Sequence, residues 1–85
     1  MFKHKTDDGK RNLCGAKIQR LRQQLPGKVS QRQLAEMMQL RGVDMDKTAI
    51  RRIEIGERYV TDIELRLFCN IFSVSPEYLI GDCGE

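Results

Sequence analysis

The chain has 85 residues, 40% of them hydrophobic, no tryptophan and a formal net charge of +3; that is enough for one compact domain and too little for two. No apolar run approaches the roughly 20 residues of a membrane span, and no signal peptide stands at the polar N-terminus, so a cytoplasmic protein is expected. Cys14, Cys69 and Cys83 share no metal-type spacing and His4 stands alone, which leaves zinc sites and disulfide frameworks without a basis, and no cofactor is expected.

Charge is unevenly spread along the chain. Residues 1–30 hold eight Lys/Arg against two Asp/Glu, residues 31–60 six against five, and residues 61–85 one against five. A positive end and a negative end suggest one face for a polyanion and another turned away from it. Catalysis has little to work with. There is no Gly-rich phosphate loop, no His partnered with Cys or Ser, and no carboxylate pair in an apolar setting. Glu54 and Glu57 only flank a glycine, and the expectation is that the protein is not an enzyme.

In chain order, residues 1–11 form a polar segment with Lys3, Lys5, Lys10 and Arg11 around Asp7-Asp8-Gly9, expected to be a flexible arm. A first helix begins near Asn12 or Gly15 and stops before Pro26-Gly27, with Ala16 or Lys17, Ile18, Leu21 and Leu25 as its buried stripe. A second opens at Ser30 with Gln33 three residues on, which is a capping box. It buries Leu34, Ala35 and Met38 and ends at Gly42. From Asp46 to Glu54 the residues sort at about 100° apiece, with Ala49, Ile50 and Ile53 on one side and Lys47, Thr48, Arg51 and Arg52 on the other. Asp46 can cap this third helix and Gly56 can supply its left-handed end. Two short helices joined by a Gly-containing turn, the second basic on its outer face, spell a helix-turn-helix.

Glu57 to Val60 reads as a loop. Thr61 with Glu64 is a second capping box and starts a fourth helix. Its Ile63, Leu67, Phe68, Ile71 and Phe72 recur at helical spacing as core, and that pattern outweighs any reading of Phe68 and Phe72 as base-stacking platforms. Ser75-Pro76-Glu77 caps a short fifth helix carrying Tyr78, Leu79 and Ile80 before Gly81. Residues 82–85 are a tail, so the domain spans 12–81. Every long segment has period 3.6 and none alternates. The fold class is therefore all-α, a compact five-helix bundle with helices two and three as the helix-turn-helix.

Ser30-Gln31-x-x-Leu34-Ala35, then Ile50-x-x-Ile53-Glu54-x-Gly56, resembles the DNA-binding domain of phage repressors and Cro, the xenobiotic-response-element type, over about residues 15–81. The resemblance implies a lambda-repressor-like bundle and a sequence-specific regulator of transcription, a repressor, that binds double-stranded DNA. Between Leu34-Ala35 and Ile50 this chain is longer than the family's usual spacing by about five residues, more than one helical turn. The extra length, around residues 39–44, is expected to extend the second helix by about a turn and lengthen the connection. Arg22 stands where the family carries an arginine paired with the glutamate that ends the recognition helix, here Glu54; a phosphate contact is the alternative role.

On this reading Lys47 and Thr48, at the start of the third helix, are first candidates for base edges. Arg52 follows one turn after Thr48 and can offer its fork to guanine, while Arg51 divides between base and phosphate. Gln31, at a helix N-terminus, is a phosphate candidate, with an exposed polar residue as the alternative. Arg58 and Tyr59 could also reach phosphates, against a solvated charge and a packed ring. The residues of the first arm could touch DNA as well. The expected partner is a pseudo-palindromic operator bound by a homodimer, at least on DNA, meeting around Phe72, Tyr78 and Leu79, in a bacterial or phage setting near the nucleoid. The rival reading is a protein-interaction module, an antitoxin or antirepressor. Such a module would place apolar or acidic residues on the outer face of helix three; Asp44, Asp46 and Glu54 flank the basic residues there, and of these only Asp44 lacks a structural task as cap or ion-pair partner.

Overall fold

Every helix starts where a side-chain oxygen accepts a backbone N–H. The computed structural model, which describes residues 9–80, orders them as α1 (Gly15–Gln24), α2 (Gln31–Leu40), α3 (Lys47–Glu54), α4 (Asp62–Phe72) and α5 (Pro76–Ile80). Asn12 accepts from Gly15 at 2.8 Å ahead of α1, and Asp46 accepts from Ala49 at 2.9 Å ahead of α3. Ser75 does the same for Tyr78 at 3.1 Å ahead of α5. α2 and α4 each carry a complete capping box, Ser30 with Gln33 and Thr61 with Glu64. Each such cap is worth about 1 kcal/mol, which matters for helices this short.

The helix ends are equally local. Gly42 (φ 94°) and Gly56 (φ 84°) take the left-handed conformation that stops α2 and α3. The Gly42 and Val43 N–H groups return to the Gln39 and Met38 carbonyls, and those of Gly56 and Glu57 to Ile53 and Arg52. This is the Schellman arrangement, and a Cβ at either glycine would be strained. The long connection between α2 and α3 thus spans residues 41–46. Gln39 and Leu40 belong to α2 and the remainder of the stretch forms the turn. The turn is packed: Met45 is buried, and the Gln39 Nε2 donates to the Met45 carbonyl at 2.7 Å.

The core lies where α3 packs on α2 and α1. Ile18, Leu34, Met38, Ile50, Ile53, Phe68 and Leu79 have no exposed surface, each contributing about 1.5–3 kcal/mol by burial. Phe68 and Phe72 stack with ring centroids 6.4 Å apart. No described helix is long and apolar enough to cross a membrane. The architecture is all-helical, as the periodicity requires.

Two packing expectations need correction. Ile63 is 65% exposed, because the inward position in the first turn of α4 belongs to Glu64, whose carboxylate is held there by Thr61 and Arg58. Leu79 is wholly buried and Phe72 nearly so, so of the three residues expected at a dimer surface only Tyr78 faces outward. The five-residue α5 buries Leu79 in the core and leaves Tyr78 and Ile80 exposed. Lys10 and Arg11, read as part of the arm, are instead seated against Gly56 and Glu57 just beyond α3; residues 1–8, with His4, and the tail with Cys83 lie outside the described residues.

Candidate nucleic-acid interface

The basic face of α3 exists because its other face is spent on the core. Ile50 and Ile53 are buried, which at 100° per residue turns Lys47, Thr48, Arg51 and Arg52 outward. All four are exposed. The side chains of Lys47, Thr48 and Arg51 have no hydrogen bond or ion pair among the described residues. Arg52 has one loose neighbour, Glu57, with Nε 3.8 Å from Oε1 and half of the arginine side chain in solvent. An exposed pair of that length is worth little, so the guanidinium fork stays available. Arg51 and Arg52 also sit in the last turn, where the helix dipole favours cations.

Glu54, the acid on this helix, is turned the other way. Its side chain has no exposure, and it is neutralised by Arg22, whose Nε donates to Oε2 at 2.7 Å and whose Nη2 donates to Oε1 at 3.1 Å. The Arg22 Nη1 donates to the Val29 carbonyl at 2.9 Å. A bidentate guanidinium thereby ties α1, the α1–α2 loop and α3 together. The Gln31 Nε2 donates to Glu54 Oε1 at 2.9 Å, joining α2 to the same carboxylate. Gln31 is half-buried rather than a free surface amide.

Arg58 also has a partner that its sequence position did not disclose. Its Nη1 and Nη2 donate to Oε1 and Oε2 of Glu64 at 3.0 and 3.1 Å, locking the loop after α3 onto the start of α4. Tyr59 is half-exposed, and the Arg11 guanidinium lies 6.0 Å from its ring centroid. Burial alone would raise the Glu64 carboxyl; the Arg58 hydrogen bond, the Thr61 backbone N–H and the Arg58 charge outweigh it and hold the group below its ordinary 4.5. A carboxyl depressed in the folded state adds stability that is full above its unfolded pKa and lost as pH falls through the folded one. Stability should therefore decline in acid below about pH 4.5, and Glu64→Gln should make that decline shallower in acid-dependent melts. Equal slopes for the two proteins would contradict the pairing.

Residues that sequence reasoning missed are Arg11, Asn12 and Gly15. The Asn12 Nδ2 donates to the Ile53 carbonyl at 3.0 Å and the Arg58 carbonyl at 2.8 Å. The Arg11 backbone N–H reaches the Gly56 carbonyl at 2.8 Å, and its Nη1 the Glu57 carbonyl at 3.0 Å. Asparagine ahead of a helix signals a cap but says nothing of a tertiary clamp. The two described cysteines are buried thiols: burial pushes Cys14 up to about 11, and raises Cys69 as well, which leaves both unreactive. Among the described residues no cluster of His, Cys, Asp and Glu could hold a metal ion.

A family model described as helix-turn-helix matches residues 18–79, a stretch that runs from within α1 to within α5 and includes the whole of α2 and α3. No curated protein and no solved structure matches the chain.

Proposed function

The chain belongs to the Cro/C1-type helix-turn-helix family, a family of DNA-binding regulators, and from that premise we propose that it reads operator DNA by laying α3 in the major groove, as a repressor of transcription. The observation that carries this reading is the composition of one helix surface. Lys47, Thr48, Arg51 and Arg52 point outward, and the acid of the same helix, Glu54, is folded inside against Arg22. A protein-docking surface would tend to carry apolar or acidic residues on that face.

Lys47 and Thr48 enter the groove first, Arg52 offers its fork to guanine N7 and O6, and Arg51 spans base and backbone. Gln31 and Tyr59 hold phosphates on either side of the recognition helix. Arg58 adds a phosphate contact through guanidinium donors that Glu64 does not use. One short helix in one groove gives modest affinity, so two protomers bind a pseudo-palindrome with recognition helices about 34–36 Å apart. The protein acts in the cytoplasm.

The test is a titration of an operator selected by the wild type and of every single-base variant of it. Arg52→Ala should cost about 1–3 kcal/mol and relax preference at one base pair per half-site. Gln31→Ala, a phosphate variant, should weaken all duplexes alike. Saturation should occur at two protomers per operator. If Arg52→Ala weakens every variant equally, or one protomer saturates the site, the reading fails at that point.

A further inference from the structure

We propose that Asn12 is a positioning residue for base reading: it fixes the seat of the C-terminal end of α3 and thereby the angle at which Lys47 and Thr48 are presented. The proposal rests on the major-groove reading above and adds a residue far from the basic face. A helix leaves its last carbonyls without intrahelical partners. Here the Ile53 carbonyl, besides the Gly56 N–H, takes a second donor from the segment ahead of α1. Both amide hydrogens of Asn12 are used, on Ile53 and on Arg58, and its Oδ1 accepts from Gly15. One side chain therefore joins the first turn of α1, the last turn of α3 and the loop beyond it, with all three of these bonds between 2.8 and 3.0 Å. Arg11 reinforces it on Gly56 and Glu57.

This clamp is separate from the Arg22–Glu54–Gln31 knot, which holds the same turn by a side chain. Two attachments define an orientation where one would leave a pivot. α3 has 8 residues, about 12 Å of helix, so a rotation of about 5° at the clamped end moves Lys47 by about 1 Å. Recognition geometry tolerates about half of that.

Asn12→Asp separates the roles, because it keeps an acceptor for the Gly15 N–H but turns an oxygen toward two carbonyls. Asn12→Ser, which also keeps an acceptor and lacks the donors' reach, serves if the aspartate variant does not fold. Phe72→Leu, a core change on α4, controls for lost stability. Two measurements are made at a temperature where all variants are folded. Residual dipolar couplings of the unbound protein report the orientation of α3 against α1 and α2, and titrations report discrimination between the selected operator and its single-base variants.

The expected result is a rotated α3 and about a tenfold loss of discrimination in the Asn12 variant, with both preserved in Phe72→Leu. An unrotated α3 overturns the proposal whatever the binding, and so does a rotated α3 with full discrimination or a Phe72→Leu control that loses as much. Should the wild type prefer no duplex at all, the major-groove reading fails by itself. The couplings then decide the clamp alone, with rotation supporting it and its absence overturning it.

Discussion

Replacing Arg22 with alanine should cost about 3–5 kcal/mol of folding stability, the range for stranding one member of a buried ion pair. The Glu54 side chain is wholly buried and that of Arg22 is 11% exposed, so water cannot take over the lost contact. The carboxylate would keep only the Gln31 amide, and the Val29 carbonyl would lose its donor as well. Most of the cost is the uncompensated charge rather than the worth of the pair. Adding Glu54→Gln to Arg22→Ala should therefore recover part of the loss. Urea or thermal melts measure both. A change below about 1 kcal/mol for Arg22→Ala would mean that the pair behaves as an exposed one, leaving Arg22 for a phosphate.

Gly15→Ala should also destabilise, against the usual sign. In an open helix the change gains about 0.8–1 kcal/mol. Here a Cβ would overlap the Ile53 carbonyl oxygen and come within 2.9 Å of Asn12 Oδ1 and 3.1 Å of the Glu54 carbonyl. The obstacle is backbone at the end of α3, which no rotamer change relieves. Forcing α1 and α3 apart should cost about 1–3 kcal/mol or more beyond the helix gain, and it would loosen the Asn12 clamp at the same time. A neutral or raised denaturation midpoint would show that the two helices are not in such close approach.

What could be read from the sequence was local. The capping boxes at Ser30 and Thr61, the caps at Asp46 and Ser75 and the glycine ends of α2 and α3 are set within four or five residues, and each helix formed between its signals. The amphipathic split of α3 was legible for the same reason, since burial of Ile50 and Ile53 dictates what faces out. Partners distant in sequence were not legible. Nothing near Asn12 points to Ile53 and Arg58, nothing near Arg58 singles out Glu64, and Gln31 looks like any first-turn glutamine until Glu54 is brought beneath it. The Arg22–Glu54 pairing entered only through resemblance to repressors, because helical periodicity places an arginine at the edge of a stripe and stops there. Ile63 misled because a hydrophobic residue in phase with a core stripe was outcompeted by a glutamate with two hydrogen-bonding tasks. Leu79 misled in the opposite way, as a core residue expected on a surface, while Phe72 is the core residue that its helical spacing implied and not the surface residue of the expected dimer contact.

The claim that α3 presents its cations to duplex DNA is tested most directly by binding to random-sequence duplex across a salt series, before any operator is known. Each phosphate neutralised contributes about −0.9 to the slope of log affinity against log salt. With Lys47, Arg51 and Arg52 all engaged, measurable binding at low salt and a slope of about −3 or steeper per protomer are expected. Absence of binding at the lowest salt, or a slope no steeper than about −1, would contradict it and leave the basic face of α3 to another partner.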